Sequence, residues 1–274
     1  MSLAYYQEIP LRINPTAFEI GGFPVSWYAL GYVVGFLTVG VLVRVRMREE
    51  KILTKRGEFW EELLFLALAA LLGGRMGYAL FYALPDFWRE PGQLISPFDE
   101  SGAYVGIRGM SYFGALSGVI LVAFWRFRHD LPRLGLLARL VVPGLGAGYF
   151  WGRLGNFLGG ELYGKVTFQK WGMRFADNPA FLRHPSQLYE AFTEGILPLV
   201  ILWPLRKISK FPFISAYVAL YCAARFFCEF FRAEKAWFLF LTQGQFFSLA
   251  FCLLALAAFP LERKKCYNPK ESGR

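Results

Sequence analysis

Two histidines in 274 residues, His129 and His184, are too few for a histidine-rich metal centre. The four cysteines, Cys222, Cys228, Cys252 and Cys266, lack the paired spacing of metal sites or disulfide frameworks. The first three lie in apolar runs and read as packing residues. Charge is scarce as well: 18% of the residues are charged against 55% hydrophobic and 19% aromatic, with mean hydropathy +0.36. That balance does not suit water as the sole solvent. No internal repeat, heptad array or low-complexity linker divides the chain, so a single polytopic membrane domain over residues 1–274 is expected. Met1 to Pro24 contains Glu8 and Glu19 and no basic stretch leading into an apolar run, so it is not expected to be a cleaved signal.

What the chain does have is long apolar runs. A helix rises 1.5 Å per residue, so crossing a hydrocarbon core of about 30 Å takes about 20 mostly apolar residues. Val25 to Val43 and Gly244 to Leu261 carry no charge. Leu63 to Leu84 is interrupted only by Arg75, Leu140 to Gly160 only by Arg153, and Phe211 to Phe231 by Arg225 and Glu229. Met110 to Trp125 is clean but short, and Gln187 to Leu205 carries Glu190 and Glu194 near its start. The expectation is an all-α integral membrane protein of about seven transmembrane helices. Lysine and arginine concentrate in alternate connections, those beginning at Arg44, Arg126, Arg206 and Arg263, so these lie in the cytoplasm. The N-terminus is then outside and the C-terminus inside, and the net charge of +10 is a topology signal with no nucleic-acid partner implied. Met1 to Pro24, Pro85 to Gly109, Glu161 to Ser186 and Arg232 to Gln243 would form a small extracytoplasmic cap, with residues 161–186 as its head segment between the fourth and fifth spans.

A charged side chain at mid-membrane depth costs about 2.5–3.5 kcal/mol on insertion scales, so Arg75, Arg153 and Arg225 need partners, water or an anionic ligand. With the N-terminus outside, these three fall in the outer halves of their helices, and so do Tyr28, Gln187, Glu190 and Gln245. On the sixth helix Tyr221, Arg225, Glu229 and Arg232 share one face. An Arg225–Glu229 bridge pinning two helices would explain that pair alone. Adding Arg153 leaves positive charge against few nearby carboxylates, which suits a phosphate, because guanidinium offers planar paired donors and keeps its proton. Gly144, Gly148 and Gly152, then Gly155, Gly159 and Gly160, form a small-residue stripe expected to pack helices closely and bring Arg153 and Asn156 to an opposing helix; Gly31 with Gly35 and Gly114 with Gly118 read the same way. Before the fifth helix, Ser186 is the expected N-cap, Glu190 falls where negative charge suits the helix dipole, and His184 is a candidate base.

Over nearly its whole length the chain resembles the bacterial prolipoprotein diacylglyceryl transferases. The resemblance rests on Trp27-Tyr28, Gly73-Gly74-Arg75-Met76-Gly77-Tyr78, Gly109-Met110-Ser111 and Gly152-Arg153-Leu154-Gly155-Asn156-Phe157. It continues through Gly160-Glu161, Gly164, His184-Pro185-Ser186-Gln187-Leu188-Tyr189-Glu190, then Tyr221, Arg225, Glu229, Arg232 and Gly244-Gln245. It implies a multi-pass protein of the bacterial cytoplasmic (inner) membrane with its active site toward the outer leaflet. The implied reaction moves the diacylglyceryl group of phosphatidylglycerol to the lipobox cysteine thiol of a prolipoprotein signal peptide, as the first step of lipoprotein maturation. Essential arginines in such enzymes match Arg153 and Arg225. With Tyr28 and Tyr221 these are the candidate catalytic residues; Arg75, Asn156, Glu161, His184, Ser186, Gln187, Glu190, Glu229, Arg232 and Gln245 are the candidate substrate-binding set. No cofactor and no metal is expected, and membrane lipid is the surroundings.

Two positions depart from the pattern. Phe113 stands where the family usually has a histidine, a candidate base, and Gly159 where it has asparagine. One reading is that the phosphate clamp carries most of the acceleration while Tyr28, Tyr221 or Glu229 assists removal of the thiol proton. A second is a catalytically silent relative that binds phospholipid or lipoprotein precursors. A third, from another class, is a lipid transporter or flippase, since buried charges also mark permeation paths.

Overall fold

Lipid offers no partner to a backbone N–H or C=O, so an apolar chain spanning it must satisfy those groups internally. A computed structural model describes residues 2–52, 56–89, 92, 96, 111–208 and 210–265. Among these, six helices are long and apolar enough to cross a membrane: Trp27–Glu49, Phe59–Leu80, Leu134–Leu158, Ser186–Leu205, Phe213–Phe231 and Gln243–Lys264. A further apolar helix, Gly114–Phe127, is shorter. The chain is an all-α integral membrane protein whose described strands form two small antiparallel hairpins.

In chain order the elements are α1 (Leu3–Gln7), α2 (Ile9–Arg12), β1 (Thr16–Ile20), β2 (Phe23–Ser26), α3 (Trp27–Glu49), α4 (Arg56–Tyr82), α5 (Leu84–Arg89), α6 (Tyr112–Phe127) and α7 (Leu131–Val141). They continue with α8 (Leu145–Leu158), α9 (Ser186–Glu190), α10 (Leu197–Leu205), α11 (Phe213–Cys228), β3 (Ala236–Phe238), β4 (Leu241–Thr242) and α12 (Gln243–Lys265). Several expected boundaries move. Val25 and Ser26 belong to β2, because Gly21 and Gly22 adopt φ of +58° and +83° and turn the chain into a hairpin before the first long helix begins. Pro143 cannot donate to a regular helix, and a 3-10 turn, Val142–Gly144, separates α7 from α8. Between α9 and α10 the helix widens into a π-helical turn, Ala191–Ile196.

Two compact units make up the chain: Met1–Met47 with Gly135–Arg274, and Arg48–Leu134. In the second, α4 and α6 meet backbone to backbone, as expected of Gly114 and Gly118. A Cβ on Gly77 would lie 2.6 Å from Gly114 Cα, and one on Gly118 3.0 Å from Gly73 Cα. Ser111 caps α6 by accepting from Gly114 N at 3.2 Å, while its own N donates to Gly74 O at 2.9 Å. The expected span start at Met110, Gly109, Arg108 and the side chain of Phe113 lie outside the described residues.

In the first unit, α3 packs on α8 through glycine: a Cβ on Gly31 would sit 2.6 Å from Trp151 O, and one on Gly155 2.9 Å from Trp27 O. Gly152 departs from the expected packing stripe, since a Cβ there meets nothing within 4 Å. Residues 161–186 fold back on the N-terminal helices. Met173 and Arg183 exchange backbone hydrogen bonds of 2.9 and 2.8 Å, Arg174 N donates to Gln7 O at 2.7 Å, and Phe157, Met173 and Phe175 are buried against Tyr6, Ile9 and Ile13. This small apolar core fixes the exit of α8 relative to the entry of α9, and so the two helices that carry Arg153 and Glu190.

Candidate active site

Glu190 ends α9, fully buried, and each of its oxygens is held by arginine. Oε2 lies 2.8 Å from Arg153 Nε on α8 and 3.3 Å from Arg225 Nη1 on α11; Oε1 lies 2.9 Å from Arg232 Nη1. Glu229, in the 3-10 turn Glu229–Phe231 that continues α11, takes Arg225 Nη2 at 2.9 Å and Arg232 Nε at 3.4 Å on Oε2, and the Thr242 hydroxyl at 3.1 Å on Oε1. Glu194, in the π-helical turn, accepts from the Tyr149 hydroxyl and lies 3.9 Å from Arg225 Nη1. Four residues apart, Glu190 and Glu194 both meet groups on α8 and α11.

Three buried carboxylates therefore face three arginines, and among the described residues this cluster lacks the expected positive surplus. The reason is the pair on the fifth span, which brings Glu190 and Glu194 to the same guanidiniums that Glu229 meets. What distinguishes the two signs is access. The side chains of Arg153, Arg225 and Arg232 remain 15%, 16% and 12% exposed, whereas Glu190, Glu194 and Glu229 are at 0–2%. The arginine side chains thus keep partial exposure while the carboxylates that pair with them are buried. Each guanidinium is oriented by at least one carboxylate within 3 Å.

On α8 the residues Tyr149, Gly152, Arg153 and Asn156 fall on one face. Arg153 Nε also donates to the Tyr149 hydroxyl at 2.9 Å and Nη1 to Asn156 Oδ1 at 3.3 Å, and its guanidinium lies 5.1 Å from the Tyr149 ring centroid. The open space at Gly152 lies between these side chains, so the expected packing glycine instead leaves room beside Arg153. Asn156 Nδ2 and Gln187 Oε1 are buried without a hydrogen-bond partner among the described residues. The Tyr221 ring sits edge-on to Tyr149 at 5.4 Å, one turn before Arg225. Tyr28 opens α3 against Gly155, its hydroxyl 3.1 Å from that of Tyr32.

The surrounding motif residues hold this cluster in place. Thr242 and Gln245 form a reciprocal cap at the start of α12: Gln245 N donates to Thr242 Oγ1 at 3.2 Å and Thr242 N to Gln245 Oε1 at 3.1 Å. That cap aims the Thr242 hydroxyl at Glu229. A Cβ on Gly244 would lie 2.6 Å from Glu229 Cδ, which is why glycine precedes Gln245. Gly164 pairs with Arg232 and its N donates to His184 O at 2.8 Å, so the head segment grips the residue after α11. Ser186 is not the expected N-cap: Pro185 occupies that place, and the Ser186 hydroxyl donates to Leu162 O at 3.1 Å. Gln187 Nε2 donates to the carbonyl of Glu161. The His184 ring lies against Tyr189 and Phe231, with Nδ1 3.2 Å from the Tyr189 hydroxyl. Burial, helped by the charge of Lys165, holds its pKa below the ordinary histidine value. Arg75 lies on α4 in the second unit, between the glycines that meet α6.

Sequence reasoning passed over Tyr149, Glu194 and Thr242. Tyr149 is four residues before Arg153 and Glu194 four after Glu190, spacings that place each beside its neighbour on a helix. Thr242 stands three before Gln245, a capping-box interval.

Comparison with known proteins agrees with the motif positions. Residues 15–261 match the family model described as prolipoprotein diacylglyceryl transferase. A protein of Chlorobaculum tepidum named phosphatidylglycerol–prolipoprotein diacylglyceryl transferase is 40% identical over 262 residues, covering 93% of this chain and 90% of its own length. Proteins of the same name from Campylobacter lari, 35% identical with 93% and 95% covered, and Xylella fastidiosa, 36% identical with 94% of each covered, are similar along the whole chain. A transferase family, matched across every span and across the helices that build the arginine and glutamate cluster, accounts for the sequence as a whole: this chain belongs to the prolipoprotein diacylglyceryl transferase family.

Proposed function

We propose that this chain transfers the diacylglyceryl group of phosphatidylglycerol to the lipobox cysteine of prolipoprotein signal peptides, the first step of bacterial lipoprotein maturation. The observation that carries the reading is a difference in access: the arginine side chains are partly exposed, while the carboxylates paired with them are fully buried. Arg153 and Arg225 meet on one oxygen of Glu190, close enough for a single phosphate to touch both. The thiolate attacks the glyceryl carbon, its carbon–oxygen bond breaks, and the electron pair passes to the phosphate that leaves as glycerol phosphate. Donors aimed at that growing charge lower the barrier; removing one such donor typically costs about 100- to 1000-fold in rate. Arg232 and Asn156 complete the phosphate contacts, Tyr28 and Tyr221 flank them, and Arg75 on α4 is a substrate-binding residue. Glu161, His184, Ser186, Gln187 and Gln245 shape the site through the head segment and the α12 cap, with Glu190 and Glu229 orienting the arginines. In this reading the head segment 161–186 and both hairpins belong on the extracytoplasmic side of the cytoplasmic membrane, which the excess of basic residues in the opposite connections supports.

The test is mass spectrometry of a synthetic lipobox peptide incubated with the purified protein in phosphatidylglycerol vesicles. The expected result is a diacylglyceryl adduct on cysteine, lost with Arg153→Ala and kept with Phe113→His. Binding of peptide or lipid with no adduct supports a silent relative, and lipid flux across the vesicle without adduct supports a transporter; either outcome overturns the transferase reading.

A further inference from the structure

A thiol must lose its proton before it attacks carbon, and Phe113 cannot take one. The three carboxylates of the cluster differ in how fully they are occupied. Both oxygens of Glu190 are held by arginine within 3.3 Å, and Glu229 is held by Arg225 and Thr242 within 3.1 Å. Glu194 is fully buried, yet its nearest guanidinium, Arg225, is 3.9 Å away, and Oε1 has no hydrogen-bond partner among the described residues. It can take a proton without breaking a close ion pair. Its other oxygen accepts from Tyr149, a half-buried tyrosine on the face of α8 that carries Arg153 and the open space at Gly152. The hydroxyl of Tyr149 is oriented from both sides, since Arg153 Nε donates to it while it donates to Glu194. The charged and titratable neighbours of Glu194 are Tyr149 and Arg153 on α8, Arg225, Cys222 and Cys228 on α11, and Glu190 before it on α9.

We propose that Tyr149 and Glu194 form the route by which the acceptor thiol is deprotonated, an inference that rests on the transferase reading above. The thiol proton passes to the Tyr149 oxygen as the Tyr149 proton passes to Glu194 Oε2. The thiolate forms the carbon–sulfur bond, the carbon–oxygen bond breaks, and its electron pair goes to the phosphate. The proton then returns from Glu194 through Tyr149 to the leaving phosphate, so one proton moves from sulfur to phosphate oxygen and both side chains are restored. Glu194 touches no reacting atom and acts through Tyr149, which does.

A selenocysteine lipobox peptide separates this role from a structural one, because a selenol is already ionised at neutral pH and needs no base. In phosphatidylglycerol vesicles, Glu194→Gln is expected to lower the adduct rate on the cysteine peptide by about 100-fold or more. On the selenocysteine peptide the same protein should stay within about 10-fold of wild type, and Tyr149→Phe should show the same rescue. Equal losses on both peptides would make Glu194 a structural residue, and undiminished cysteine transfer would remove it from the route; either overturns the proposal while wild-type transfer stands. If the wild type modifies neither peptide, the transferase reading falls first and this inference with it.

Discussion

Two helix contacts in this protein solve the membrane problem by opposite means. Where α4 meets α6, the side chains have been pared to glycine and the backbones touch, with the ion pair Arg126–Glu62 at 2.8 Å at the exposed end of the contact. Where α8, α9 and α11 meet, six charged groups and Tyr149 fill the space. The first contact is mostly close backbone packing and can hold a fold. The second costs desolvation that only complete pairing repays, and pairing one carboxylate with several arginines leaves guanidinium edges over for a ligand. Glycine contacts recur beneath the charged one, at Gly31 and Gly155, where they set the helix spacing on which its hydrogen bonds depend.

Breaking the charged contact should give the largest effect. Arg225→Ala leaves Glu190 and Glu229 short of a partner and is expected to cost about 3–5 kcal/mol of stability. Transfer should fall by at least about 100-fold beyond that loss, read as adduct formed per folded molecule after size-exclusion chromatography. Next comes Gly244→Ala. Its Cβ meets the Glu229 carboxylate, so the clamp shifts while every charge is retained, and a loss of about 10- to 100-fold in kcat is expected with little change in thermal stability. A melting temperature that drops as far as the activity would mean that Gly244 serves packing alone.

Gly118→Val attacks the glycine contact. Overpacking at α4 is expected to cost about 1–3 kcal/mol, seen as a lower melting temperature in detergent; unchanged melting would show that the two helices part without cost. The smallest effect concerns His184, whose folded pKa lies below its unfolded value of about 6.5. The unfolded chain then binds more protons, so the head segment keeps its full stability above that pH and loses it as the pH falls through the window between the two values. Hydrogen exchange of residues 161–186 at pH 7 and pH 5 should show faster opening at the lower pH, and His184→Phe should abolish the difference.

The contrast between the two contacts also explains what the sequence made legible. Spans were readable because hydropathy acts over about 20 residues, and Gly114 and Gly118 because small residues four apart commonly let helices approach closely in lipid. Arg153 and Arg225 stood out as charges in apolar runs. The pairing did not, since Glu190 reaches Arg153 and Arg232 only after α8, α9 and α11 assemble, and no spacing rule relates separate helices. Glu194 was legible as the i+4 neighbour of Glu190, but its meeting with Tyr149 was not, since that partner comes from α8. Gly152 was read with its neighbours, though its register turns it from α3 toward the arginine face. Ser186 looked like a cap because serine before a helix commonly is one; the carbonyl of Leu162, brought by the head segment, claims its hydroxyl.

The central claim is that open guanidinium edges grip an anionic lipid head, and native mass spectrometry of lipid binding reads it directly. Wild-type protein should retain phosphatidylglycerol over a zwitterionic lipid of the same acyl chains by at least about 10-fold, a difference of about 1.4 kcal/mol, and Arg153→Gln should erase that preference. Equal retention of both lipids by the wild type, or an undiminished preference in Arg153→Gln, would contradict the account.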